Sequence, residues 1–503
     1  MKLFRRFFTA LVVLLVLALA ACPDGDKTDY VYGGTGQAFY AVDFTNGEST
    51  YRTDARKVAT GEHCTVWLED GERIPSDYLS LIVWFFDEDI FPLVSGAFSP
   101  CTDDNGSLAS WVDKDSDGKV ALFLLDIPDG YVEGSTGYVG GYFRPGDLDE
   151  ESRANNKDML YIDISPGDPS SWGFYGTIAH EFQHLTNYAY TNFALQEAYT
   201  QDLWINEGLS TAAEYLFLYP HTNDADWRLL WYDSLYSESS ESEIPAGNNF
   251  FVWHGLREEE DYSGSALLDN YATAYVFFQW LRIQAATGNP PVFGDEDGRS
   301  VYQSIIESGK SDHEALVDCA DQINQNLSDW PSILESWYLA NIVGDADSLY
   351  GYRDAFSVDT YYTGTDDLYM TFTPVMPAFD YSFASGEEGA PKASLYAGEG
   401  IRFNGVENFS PGTVPEGIVY LGVADNGNID RTVPYSGTLL VYNAQTLGVN
   451  VSDGGIEQSI AVAIPLEGDV QDAAASVAAP ARQLGTPSLP MPRIRRVHPG
   501  YGD

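Results

Sequence analysis

At 503 residues, with 44% hydrophobic and 14% aromatic side chains, the chain is too long for one ordinary core and suits two to four globular domains. Its 75 acidic residues outweigh 26 basic ones, for a net charge of −49. Such a surface repels phosphate backbones, which excludes nucleic acid as a partner, and suits solvation outside the cell or cation binding.

Lys2, Arg5 and Arg6 precede an apolar run from Phe7 through Ala20. The run is short for a membrane span and has the layout of a secretory signal peptide. It ends in Leu19-Ala20-Ala21-Cys22, which resembles the lipobox of bacterial lipoproteins. That resemblance implies removal of residues 1–21, lipidation of Cys22, a tether over 22–35, and a protein held at the cell envelope by acyl chains rather than a span. An ordinary signal peptide with an incidental Cys22 is the alternative. Three cysteines follow; Cys64 and Cys101 can pair, which leaves Cys319 over.

Residues 36–135 alternate apolar and polar positions between Gly/Asp turns and predict a β-rich region. Thr65–Leu68, Leu81–Trp84 and Val120–Leu125 read as strands, and Tyr138–Phe143 and Met159–Ile164 continue the pattern. Asp113, Asp115 and Asp117, followed by Gly118, space three carboxylates as a calcium loop does. An EF-hand needs Glu at position 124, and Leu124 stands there. A calcium-stiffened turn and a solvated acidic hairpin both remain open.

After Pro166-Gly167-Asp168-Pro169 the period becomes helical, with segments at 172–190, 194–219, 226–236, 266–286, 299–309 and 312–345. The first carries His180-Glu181-Phe182-Gln183-His184. Positions i and i+4 share a helix face, so both imidazoles can grip one ion. Zinc takes such ligands and, in catalytic sites, keeps one position for water; Glu181 would stand beside it as general base. Apolar Ile178, Ala179 and Leu185 flank the motif, so the helix is not solvated all round. The helix from Trp204 to Tyr219 places Glu207, Thr211 and Glu214 on one stripe. A carboxylate buried there at Glu207 is costly without a partner, and a metal ion removes the cost. His180, His184 and Glu207 are the ligand set, with Asp202 or Glu214 in reserve.

Strands return from about 370, as in Gly417–Val423 and Thr438–Tyr442, and the Ala/Pro-rich residues 471–503 read as a disordered tail. The expected organisation is a β-rich region at 36–135, a catalytic domain at 136–345 and a C-terminal β domain at 346–470.

His-Glu-Phe-Gln-His-Leu at 180–185, followed by Trp-Ile-Asn-Glu-Gly-Leu-Ser at 204–210, resembles the hyicolysin-type neutral zinc metallopeptidases of bacteria. More broadly it is similar to the gluzincins. The resemblance runs from about residue 60 to 285 and includes Gly140-Gly141-Tyr142-Phe143. It implies an α+β fold: a zincin-like domain behind a β-rich N-terminal region and ahead of a β-sandwich-like C-terminal domain. It implies His180, His184 and Glu207 as zinc ligands and Glu181 as catalytic acid/base. Peptide substrates would pair with an edge strand, for which Tyr138–Phe143 is the candidate, with an ordinary core strand as the alternative. Tyr271 occupies a region where several gluzincins supply a tyrosine to the oxyanion; an ordinary core tyrosine and a role for His254 are the alternatives. Glu214, and after it Thr211 and Asn187, could orient the histidines. The function implied is a lipid-anchored, exported zinc endopeptidase. A surface adhesin on a peptidase scaffold and an aminopeptidase are the competing readings.

Overall fold

A computed structural model describes residues 30–196, 201–221, 228, 232, 250–251, 265–380, 394–446, 460–461 and 494–496, apart from short gaps at 35, 47–48, 133–136, 150–152, 288–289, 354, 357, 363–367, 373, 377 and 425–426. Cys22, the tether up to residue 29 and His254 lie outside the described residues, as does most of the helix expected at 226–236. Tyr30–Tyr32, expected within the tether, form a short strand antiparallel to Arg73–Pro75.

The first sheet has six strands: β1 (Gln37–Asp43), β2 (Ser49–Thr60), β3 (Cys64–Glu69), β4 (Val120–Leu125), β5 (Gly141–Phe143) and β6 (Met159–Asp163). They lie side by side in the order β1-β2-β3-β4-β6-β5. The central pairs β3/β4 and β4/β6 are parallel, and β5 closes the edge antiparallel to β6. Every residue of β4 and β6 is buried, as expected for parallel strands covered on both faces. Alternation along the strands sends Leu122, Leu124, Leu160 and Ile162 to one core, and Ala121, Phe123, Leu125 and Tyr161 to the other. The strands before and after residue 135 thus share one sheet.

Helices cover the first of these faces. They are α1 (Ser76–Phe85), α2 (Phe91–Ala97), α3 (Trp172–Ala189), α4 (Leu203–Leu218), α5 (Ser265–Ala285), α6 (Ser300–Ile306), α7 (Glu314–Ile323) and α8 (Trp330–Val343). Leu81–Trp84, expected as a strand, lies in α1. Its apolar run hides a helical stripe, because Leu79, Ile82 and Phe85 are buried while Leu81, Val83 and Trp84 are half-buried. The long helix expected over 312–345 is two, divided where Asn324 and Asp329 cap new turns with their side chains. Gly208 lets α4 and α5 close up, since a Cβ there would meet Phe278 Cε2 at 2.3 Å. Asp163, at the end of β6, accepts from Ile127 N at 3.0 Å and from Gly167 N at 2.8 Å, and so holds the turn into α3.

A separate sheet of five strands follows: β7 (Phe379–Asp380), β8 (Gly400–Phe409), β9 (Ile418–Val423), β10 (Ile429–Asp430) and β11 (Tyr435–Asn443), in the order β7-β8-β11-β9-β10. One face joins the helical core through Leu421, Leu440 and Tyr442, and the other buries Ile401, Phe403, Leu439 and Val441. The whole is a mixed α/β architecture consistent with α+β. Among the described residues no helix is long and apolar enough to cross a membrane.

Cys64 and Cys101, which the sequence allows to pair, are both buried and both free thiols. The carboxylates of Asp113, Asp115 and Asp117 lie within 4.8 Å of one another, a grouping that could hold a cation. Lys157, 6% exposed, places its ammonium on Asp115 and, at 3.2 Å, on Asp117. The protein's own ammonium thus meets two of the three carboxylates.

Candidate metal centre

Ser171 caps α3, its hydroxyl accepting from Phe174 N at 3.3 Å. From Phe174 to Asn187 every side chain of α3 is buried. Polar groups in such a helix need partners. His180, Glu181 and Glu207 are each 0% exposed. Yet both nitrogens of His180 and all four carboxylate oxygens of Glu181 and Glu207 lack a partner in hydrogen-bond geometry among the described residues.

They face one another instead. His180 Nε2 lies 3.4 Å from Glu207 Oε2, and His184 Nε2 lies 3.6 Å from Glu207 Oε1. The two imidazole planes stand at 75° with centroids 4.8 Å apart. A tetrahedral ion with bonds of about 2.0–2.1 Å separates its ligand atoms by about 3.3 Å, close to these spacings. Two imidazoles and one carboxylate are a donor set that zinc accepts, and one cation among them would satisfy every orphaned ligand atom. The site therefore fits the metal. Of the sequence-predicted residues, His180, His184 and Glu207 converge, with Glu181 beside them.

For the protein side chains alone, burial pulls the His180 imidazole down, but the carboxylates of Glu207 and Glu214 outweigh it, and its pKa is raised to about 9. Burial raises the Glu181 carboxyl to about 8, against the pull of His180 and with the help of Glu207.

Each imidazole is also addressed from behind. Glu214 Oε2 lies 3.6 Å from His180 Nδ1, and Arg228 donates to that same oxygen at 2.8 Å. Gly176 on α3 makes room for this carboxylate, since a Cβ there would meet Glu214 Cγ at 3.0 Å. His184 Nδ1 lies 3.3 Å from Asn206 Oδ1, an acceptor that keeps the proton on Nδ1 and leaves Nε2 for a metal. Asn187 Nδ2 supports Asn206 Oδ1 at 3.3 Å and donates to Gln201 Oε1 at 2.8 Å, so Asn187 acts one step back. The Thr211 hydroxyl is spent on Gly208 O at 3.0 Å. Asn206 and Arg228 are the residues that sequence reasoning missed. Asn206 carried a signal, as the polar neighbour of Glu207 in an apolar first turn. A buried arginine carries none.

Tyr271 is 1% exposed and lies within electrostatic reach of Glu207 and Glu181; burial first, then these two, push its phenol well above the usual range. The edge strand β5 lies against Glu181. A Cβ at Gly141 would fall 3.2 Å from Glu181 Cγ, and the Phe143 backbone N–H helps to lower that carboxyl's pKa.

Comparison with known proteins points the same way. The chain is 26% identical over 325 residues to the neutral metalloprotease ShpI of Staphylococcus hyicus. This likeness supports a metallopeptidase family. The match takes in 63% of this chain and 65% of that protein, so the chain spans less than two thirds of its relative's length. No family model matches the chain.

Proposed function

We propose that the chain is a zinc-dependent endopeptidase, exported and held at the cell envelope by a lipid on Cys22. The observation that carries the catalytic part is the convergence of His180, His184 and Glu207 beside Glu181, buried under the edge strand β5. The export part rests on the signal-like segment and its Leu-Ala-Ala-Cys end.

His180, His184 and Glu207 would hold the zinc, which when bound polarises the scissile carbonyl and lowers the pKa of water. Glu181 takes a proton from the attacking water and hands it to the departing amine. The Tyr271 hydroxyl, the one candidate oxyanion donor of the sequence that lies among the described residues, offers a hydrogen bond to the carbonyl oxygen as it gains charge. The backbone of β5 aligns an extended peptide across these groups. Cys22 supplies membrane contact, and peptides or proteins are the substrates.

Cleavage of casein and of an end-blocked, internally quenched peptide, lost with a chelator and restored by zinc, tests the reading. Glu181→Gln should lower kcat by about 10²–10⁴-fold while one equivalent of zinc stays bound. Wild-type turnover in that variant removes Glu181 as the base, and cleavage confined to free amino termini replaces the endopeptidase with an aminopeptidase.

A further inference from the structure

Three carboxylates crowd the centre: Glu181 and Glu207, each 0% exposed, and Glu214, 3% exposed. With neutral imidazoles and a divalent cation, the group would keep one negative charge. A buried charge without a partner is heavily penalised. Arg228, 0% exposed, is the basic side chain at ion-pair distance from this group among the described residues. Its guanidinium carbon also lies 5.8 Å from the Tyr275 ring centroid, within cation–π range.

We propose that Arg228 is a positioning residue of the metal centre: it balances the third carboxylate and holds Glu214 so that Oε2 faces His180 Nδ1, which commits His180 Nε2 to the ion. The geometry for this is one shared oxygen, 2.8 Å from Arg228 and 3.6 Å from His180. Gly176 closes the other side of the same carboxylate. A planar guanidinium fixes a carboxylate's direction as a rotating ammonium does not. The inference rests on the zinc reading above and adds the residue that tunes the site from one step away.

The test uses the full chain as wild type, R228M, R228K, E214Q and the double variant E214Q/R228M. Zinc affinity is measured by competition with a chromophoric chelator. The visible spectrum of the cobalt-loaded protein reports ligand geometry, and circular dichroism of the metal-free protein checks folding. R228M should bind zinc about 10–100-fold more weakly, the range for groups that orient a ligand, and shift the cobalt bands. E214Q/R228M, which removes both charges, should bind zinc no worse than E214Q alone, so that the two losses are non-additive. R228M with wild-type zinc affinity and cobalt spectrum overturns the proposal, as do losses that simply add. If R228M fails to fold, R228K should stay within about 10-fold of wild type, and a double variant markedly weaker than E214Q overturns the proposal. A wild-type chain that binds no zinc sinks the metal reading and this inference with it, whereas unchanged binding in R228M sinks this inference alone.

Discussion

Replacing Gly141 with Ala inserts one methyl between the edge strand and α3. The new Cβ would stand 2.9 Å from Thr177 Cγ2, 2.9 Å from Tyr161 O and 3.2 Å from Glu181 Cγ. Non-bonded carbon contacts favour about 3.5–4.0 Å, so β5 must retreat from α3 and β6 by about 0.5 Å or more. Overpacking of this kind costs about 1–3 kcal/mol, read as a melting point lower by a few degrees. Displacement of about 1 Å in a substrate-positioning element lowers rates about 10²-fold, so a shift of half that size should lower kcat/KM by about 10-fold. Zinc content should stay at one equivalent, because β5 contributes no ligand. The assay is hydrolysis of an end-blocked, internally quenched peptide, with metal analysis of the same sample. Wild-type kcat/KM in Gly141→Ala would show that β5 does not align substrate over Glu181. Loss of zinc would show that the strand supports the ligands instead.

Two further outcomes follow from the same geometry. Glu207→Ala removes the carboxylate that faces both imidazoles, and metal analysis should find well below one zinc per chain; unchanged stoichiometry would pass the ligand role to Glu214 or Asp202. In metal-free protein, Glu181 (raised from 4.5 to about 8) and His180 (raised from 6.5 to about 9) keep protons that the unfolded chain releases. Their contribution to stability is therefore complete below about pH 4.5 and lost by about pH 9, so the melting temperature should fall as pH rises through that window. The fall between pH 5 and 8 should be shallower in Glu181→Gln, and an identical profile in the two proteins would refute the assignment.

How much of this could be read along the chain depends on how local the signal was. The spacing of His180 and His184 needs only the helical period, and α3 keeps it. Val120–Leu125 and Met159–Asp163 were legible as strands because unbroken apolar runs suit a sheet covered on both faces. Leu81–Trp84 was misread because four apolar residues satisfy either period, and only the core beneath Leu79, Ile82 and Phe85 selects the helix. The Asp113–Asp117 spacing was equally local, but it could not show that Lys157, 40 residues and more away, would meet Asp115 and Asp117.

The chain by itself determined the donor set of the centre: two imidazoles one helical turn apart and a carboxylate on the next helix, side chains that could bind a metal. Tertiary structure alone decided that Glu207 reaches both imidazoles, that Asn206 and Glu214 stand behind them, and that Arg228 faces Glu214. It also decided that β5 presses on Glu181. Those relations join residues from 14 to 40 positions apart in the chain, and burial chooses among such pairs because a polar group removed from water must find its complement inside the fold.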